Sequence, residues 1–193
     1  MRQSRITQIV LALALGSLAL EATLAADAYS IDTAHSAVMF KITHLGVSTF
    51  HGRFFDVSGN YSFDEANPAA SSFEATVKAD SLDTHNEKRD QHLKSPDFFN
   101  TKQFPVITMK SKSVKKTGDK TLAVTADLTL HGVTKEITFD VKQVGAGPGP
   151  GGGFRSGFDT QFTIKRSDFD IKFMPGGLGE DVTVTVSIEG VRQ

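Results

Sequence analysis

Apolar residues recur at every second position along most of this chain. The runs are Val38, Phe40 and Ile42; Phe73, Ala75, Val77 and Ala79; Leu122, Val124, Ala126, Leu128 and Leu130; Phe154, Phe158, Phe162 and Ile164; and Val182, Val184, Val186 and Ile188. A period of two is the pattern of a strand with one dry face and one wet face. Residues 29–32 read as a short first strand, 106–114 as another, and Val133, Ile137, Phe139 and Val141 as the return from a His131-Gly132 turn. The spacing predicts eight or nine antiparallel strands.

The alternation stops between residues 81 and 104. Thr84 and Glu87 have the spacing of a capping box, and Ser95-Pro96-Asp97 reads as a fresh N-terminus with proline in the first helical position. A short helical insertion over 84–100 is therefore expected, with Phe98, Phe99 and Phe104 packing back on the sheet. The stretch 145–153, rich in glycine with Pro148 and Pro150, reads as an exposed, flexible connector.

These elements define an all-β, antiparallel fold. Closing such a sheet into a barrel removes its edges, and about eight strands leave room for one ligand. A sandwich satisfies the same alternation. The composition, 15 Phe against two Tyr and no Trp, favours a barrel with a dry hollow interior, since rings without polar handles suit an apolar channel. The plainer alternative is that they fill an ordinary core.

The N-terminus changes the picture. Arg2 and Arg5 precede an uncharged apolar run from Ile9 to Leu20 and then small residues, the pattern of a secretory signal peptide. We assign 1–26 to a removed signal peptide, with cleavage expected after Ala25, Ala26 or Ala28, and 27–193 to a single domain. Without cysteine, an exported chain holds together by packing and hydrogen bonds, and thiol catalysis, iron–sulfur ligation and thiolate zinc are excluded. Lys and Arg number 21 and Asp and Glu 22; losing Arg2, Arg5 and Glu21 leaves 19 against 21, a net charge of −2. No basic block suggests nucleic acid as a partner.

Candidate chemistry gathers around residues 44–54. His44 falls on the apolar face of Val38, Phe40 and Ile42, and with no bulge His51 and Arg53 share the phase of Phe55, Val57, Tyr61 and Phe63. Imidazoles and a guanidinium beside an apolar wall make a pocket with a polar rim; equally, they are basic side chains meeting water. His85 and His92, seven apart with Arg89 between them, would share a helix face and offer acid–base chemistry, but no third metal ligand has a recognisable spacing. His131 reads as a backbone cap in its turn, and Arg166 with Asp168 or Asp170 as a structural ion pair.

Four motifs, HLGVSTFHGRF (44–54), NEKRDQHLKSPDFF (86–99), DLTLHGVTKEITFDV (127–141) and IKRSDFDI (164–171), stand in order along the chain. Together they resemble the YceI family of polyisoprenoid-binding periplasmic proteins. The resemblance implies an extended, lipocalin-like antiparallel barrel around a long hydrophobic tunnel, holding an isoprenoid lipid such as a prenylated quinone or polyprenyl phosphate. The glycine- and proline-rich 145–153 departs from that pattern. On this reading Val38, Phe40, Ile42, Phe158, Phe162 and Ile164 line the tail site, and His44, His51, Arg53, Arg89 and His92 stand near its mouth. The expectation is a periplasmic carrier without catalytic residues, metal or cofactor other than the bound isoprenoid lipid or isoprenoid quinone, with transient membrane contact and a homodimer as further partners. The alternatives are a periplasmic enzyme, or a stress-related structural or interaction module with the same barrel and a filled interior.

Overall fold

Eleven strands and one short α-helix organise residues 26–193, the part of the chain that the computed structural model describes; the expected signal peptide, 1–26, lies outside it apart from Ala26. The strands are β1 (Asp27–Ile31), β2 (Ala37–His44), β3 (Ser48–Phe54), β4 (Val57–Phe63), β5 (Ser72–Lys78), β6 (Leu82–Asp83), β7 (Val106–Lys116), β8 (Thr121–Leu130), β9 (Val133–Pro148), β10 (Phe154–Lys165) and β11 (Leu178–Arg192). The helix α1 (Glu87–Leu93) sits between β6 and β7. All strand pairings are antiparallel, in the order β1-β4-β5-β7-β8-β9-β10-β11, and a β1–β11 pairing closes these eight into a barrel.

Closure depends on β11 having two partners along one edge. Its last residues pair with β1 (Ile31 opposite Gly190), whereas Leu178 to Ser187 pair with β2. The chain changes place at residues 32–36, in a short 3-10 turn. Asp32 caps that turn at the Ala34 amide (3.0 Å) and donates its own amide to the Glu189 carbonyl (2.8 Å), while Ser36 Oγ accepts from the Glu189 amide (3.1 Å). Arg155 on β10 reaches across to Asp32 (2.8 Å) and Glu189. This clasp is where the sheet splits, with β1 and β4 completing the barrel at one end and β2, β3 and β6 running as a flap toward the other.

The insertion between β6 and β7 covers the space left by the flap. Phe99 packs edge-on against Phe40 and Phe54, at 6.2 and 5.4 Å between ring centroids. The expected capping box is replaced by a different arrangement. Asn86 is the N-cap, accepting from the Arg89 amide at 2.9 Å, and Thr84 instead bonds Asp90. His85 precedes the helix with φ 59° and an exposed ring, so it shares no helix face with His92. Ser95-Pro96-Asp97 forms a turn closed by the Phe98 amide on the Ser95 carbonyl (3.0 Å), without a second regular helix.

Along β8 the expected alternation holds at every position, Leu122 through Leu130 inward. Two stretches differ from the pattern. β9 continues to Pro148, with Ala146 opposite Ser156 and Pro148 opposite Phe154, so only 149–153 is a connector. Glycine is permissive enough to take extended backbone when a partner strand supplies the hydrogen bonds. And the parity across 48–63 breaks at Phe55-Asp56, between β3 and β4: Phe54 and Val57 are both buried, while Phe55 is exposed.

The core is densest at the β1 end. Tyr29 and Tyr61 stack at 4.8 Å, and Tyr61, Phe63 and Phe73 surround Phe158 at 5.1 to 5.4 Å. The Tyr61 hydroxyl donates to the Ser156 carbonyl (2.8 Å), and burial pushes its pKa up to about 12. These rings close the barrel floor. Further up, the inward residues Val38, Phe40, Ile42, Phe162, Ile164, Val184 and Val186 are only half-buried although they point into the barrel. A filled interior would bury them, so the alternation encloses a void.

Candidate functional site

That void is a cavity of about 480 Å³, within the range of roughly 300–1,000 Å³ found for small-molecule sites. On β11 it is lined by Val182, Val184, Val186 and Ile188, which at about 3.3 Å per residue spans about 20 Å of strand. Beside them on the paired strands are Val38, Phe40 and Ile42 of β2 and Phe158, Phe162 and Ile164 of β10, with Phe139 of β9 stacked on Phe162 at 4.8 Å and Met109 of β7 across the barrel. All six residues expected to line a tail site are therefore on this wall. Phe158 differs from the other five in lying within the aromatic floor, fully buried.

One end is open. Ser48, Thr49, Arg89, His92, Phe173 and Met174 border the cavity and remain exposed. They come from the start of β3, from α1 and from the β10–β11 loop, which the register brings together: His44 pairs with both Ser48 and Leu178. His44 also borders the cavity at this mouth.

Two of the five expected rim residues are elsewhere. His51 and Arg53 lie on the outer face of β3; His51 pairs with Lys41, and the Arg53 guanidinium stacks 3.7 Å over the exposed Phe55 ring. The physical reason is the parity break at Phe55-Asp56: within β3 it is Phe50, Gly52 and Phe54 that face inward, so the alternate positions point out. Arg89 and His92 are held in place at the mouth. Arg89 donates from Nε to Thr84 Oγ1 (2.8 Å) and from Nη2 to the Thr84 carbonyl (2.6 Å), and lies 4.5 Å over the Phe50 ring. Among the described residues its Nη1 has no partner. His92 Nε2 lies 2.9 Å from Asp97 Oδ2, with the ring edge-on to Phe98 and Phe173, both at 5.1 Å.

The composition did not single out Phe173 and Met174, which sit in a loop without periodicity. What shapes this loop is Arg166. Its buried guanidinium donates to the carbonyls of Gly179 (2.9 Å), Ile171 (3.0 Å) and Phe173 (2.8 Å), with Glu180 at 3.5 Å. The expected pairing with Asp168 or Asp170 does not form; Asp170 takes Lys172 instead, at 2.6 Å. Five N–H donors in a fixed fork suit a site crowded with backbone carbonyls. His131, in a turn with φ 52°, does bond backbone as expected, its Nδ1 lying 3.1 Å from the Phe169 carbonyl.

Asp32, His35 and Glu189 bring ligand atoms within 4.8 Å of one another, the one such group among the described residues. The Arg155 guanidinium stands between the two carboxylates and already supplies the cation. Its hydrogen bond to Asp32, with that from His35, pulls the Asp32 carboxyl down to about 2. This group belongs to the clasp, outside the cavity lining. Of the charged residues bordering the cavity, Arg166 spends its donors on carbonyls, Asp159 accepts from the Ser187 hydroxyl (2.7 Å), and Arg89 stands at the rim. The deep wall offers dispersion contacts and no acid–base pair.

A closed barrel around an apolar cavity with one polar-rimmed mouth is the architecture of a binding protein for an apolar molecule. Comparison with known proteins gives the family. The model of the YceI-like domain matches residues 29–190, and protein YceI of Escherichia coli O157:H7 is 47% identical over 171 residues, covering 88% of each chain. The chain belongs to the YceI-like family. Among solved structures, a Campylobacter jejuni YceI protein superposes with a TM-score of 0.70 at 33% identity, over 79% of this chain and 91% of that one. A polyisoprenoid binding domain from Saccharophagus degradans, 18% identical, shares the fold with a TM-score of 0.66 over 86% of this chain and 99% of its own.

Proposed function

We propose that the protein is a periplasmic carrier that holds one isoprenoid chain, of a prenylated quinone or a polyprenyl phosphate, in the barrel cavity. The observation that carries this reading is the half-buried, mostly apolar wall around 480 Å³ of space, open at the end where Arg89 and His92 stand. A prenyl tail in water costs about 0.8 kcal/mol per exposed CH₂, so a carrier must enclose nearly all of it. A bilayer solvates the same tail about equally well. Preference for the barrel then rests on shape fit and the head group, less the cost of ordering the chain. In this reading His44, Arg89 and His92, which border the mouth, meet that head group, Arg89 through a charge-assisted bond from Nη1 to a carbonyl or phosphate oxygen. The binding domain from Saccharophagus degradans, with the same fold, supports the choice of ligand class.

The test is native mass spectrometry of protein purified from the periplasmic fraction, with organic extraction of the same sample. An adduct with the mass of an isoprenoid lipid is expected in the wild type and absent from Val184→Trp, whose indole fills the middle of the cavity. A protein that carries no lipid, and takes up none when mixed with prenylated quinone or polyprenyl phosphate, overturns the proposal.

A further inference from the structure

Eight large apolar residues among those described are strongly exposed, and four of them crowd the cavity mouth: Leu45 (53%), Val47 (82%), Phe173 (40%) and Met174 (37%). The other four, Met39, Phe55, Val106 and Val144, belong to four separate segments. The mouth residues sit on the β2–β3 turn and the β10–β11 loop, which are joined by the Leu45 amide donating to the Gly177 carbonyl (2.7 Å). Neither tip carries a charge: residues 45–50 read Leu-Gly-Val-Ser-Thr-Phe and residues 173–179 read Phe-Met-Pro-Gly-Gly-Leu-Gly. Behind them stand Arg89 and His92, the latter with its ring 5.1 Å from Phe173.

We infer that this rim is a docking face for a phospholipid bilayer, with Leu45, Val47, Phe173 and Met174 dipping among the acyl chains and the cavity mouth held against the membrane. Uncharged apolar tips in front of the Arg89 guanidinium match the order in which a bilayer presents acyl chain and phosphate. A second copy of the chain is a poorer occupant. The four side chains expose on the order of 400 Å² at a full area near 200 Å² each, half of the roughly 800 Å² per partner that a stable protein interface buries. The inference rests on the isoprenoid reading for its purpose: a long apolar tail passes between bilayer and barrel without crossing water only when the mouth is apposed to the lipid.

The chain has no tryptophan, so Val47→Trp places a single fluorescent reporter at the outermost tip. When that variant is mixed with vesicles of phosphatidylethanolamine and phosphatidylglycerol (3:1), its indole emission is expected to shift to shorter wavelength and to be quenched by lipids brominated in the acyl chain. Leu45→Asp with Val47→Asp is expected to lower vesicle co-sedimentation of the otherwise unaltered protein at least tenfold. Leu45 has φ 51°, a conformation aspartate tolerates well, and neither residue lines the cavity, so the fold and the cavity wall should be unchanged. Indole emission indifferent to vesicles, or a double variant that sediments like the wild type, overturns docking. So does a vesicle-free blue shift that grows with protein concentration alongside a doubled mass, which assigns the rim to a second copy. Isoprenoid content measured on the wild type separates the two readings: cargo without vesicle binding overturns docking alone, and vesicle binding without cargo overturns the carrier alone.

Discussion

Gly52 and Phe40 face each other across β2 and β3, and the absence of a side chain at one is what positions the other. A Cβ built on Gly52 would lie 2.4 Å from Phe40 Cζ, so the ring fills the space that any larger residue would need. An aromatic ring covering a cross-strand glycine restores the packing that the glycine lacks. Gly52→Ala is therefore expected to tilt Phe40 into the cavity, with a loss of about 1–3 kcal/mol in chemical denaturation typical of overpacking and a lower lipid content on extraction. An unchanged denaturation midpoint with full lipid content would show that the ring has room to move elsewhere. At this scale the sequence was readable where a residue's phase and its role coincide, as for Phe40 and Ile42. It was unreadable for His51 and Arg53, because Phe55 is apolar and exposed and so hides the point where the phase changes.

Among the elements, the junction of β1 and β2 on the edge of β11 is held by charge. Arg155 lies against Asp32 and Glu189, and Asp32 also meets His35 Nδ1 at 2.9 Å. The Asp32 carboxyl ionises near 2 when folded and near 3.8 when unfolded, so it adds stability above about pH 4 that is lost as the pH falls toward 2. Asp32→Asn is expected to be less stable than the wild type at neutral pH, with the difference shrinking between pH 4 and pH 2 until the two unfold together. A gap independent of pH across that window would show that Asp32 contributes through its turn cap alone. Seven of the eight closing strands were legible as elements because alternation is a local signal, clearest in β8; β4 was not, since one phase was carried from β3 through Phe55-Asp56. That β1 and β2, read as separate strands, share β11 as a neighbour was not legible either, since the junction is made by hydrogen bonds to Glu189, far away in sequence. The extension of β9 over 145–148 was hidden in the same way, by a loop-like composition that a partner strand overrides.

At the scale of the molecule, the barrel encloses a void that an ordinary core would fill. Apolar walls facing empty space give up the contacts that a packed neighbour would supply, so the empty protein is less stable than its burial pattern alone implies. An occupant restores those contacts and binds the folded chain alone, which raises stability with the ratio of free ligand to Kd, by about 4 kcal/mol at a thousandfold excess. For a domain of this size that corresponds to a rise of roughly 8–16 °C in Tm. Protein stripped of lipid by organic extraction and refolded should therefore melt lower than protein as purified, and added prenylated quinone should return the difference in a concentration-dependent way. In Val184→Trp the indole supplies part of the missing contact from within. That variant is expected to melt above the stripped wild type and to be indifferent to added lipid. If stripped and loaded wild type melt alike while the variant gains nothing, the cavity wall is not the surface on which the lipid acts.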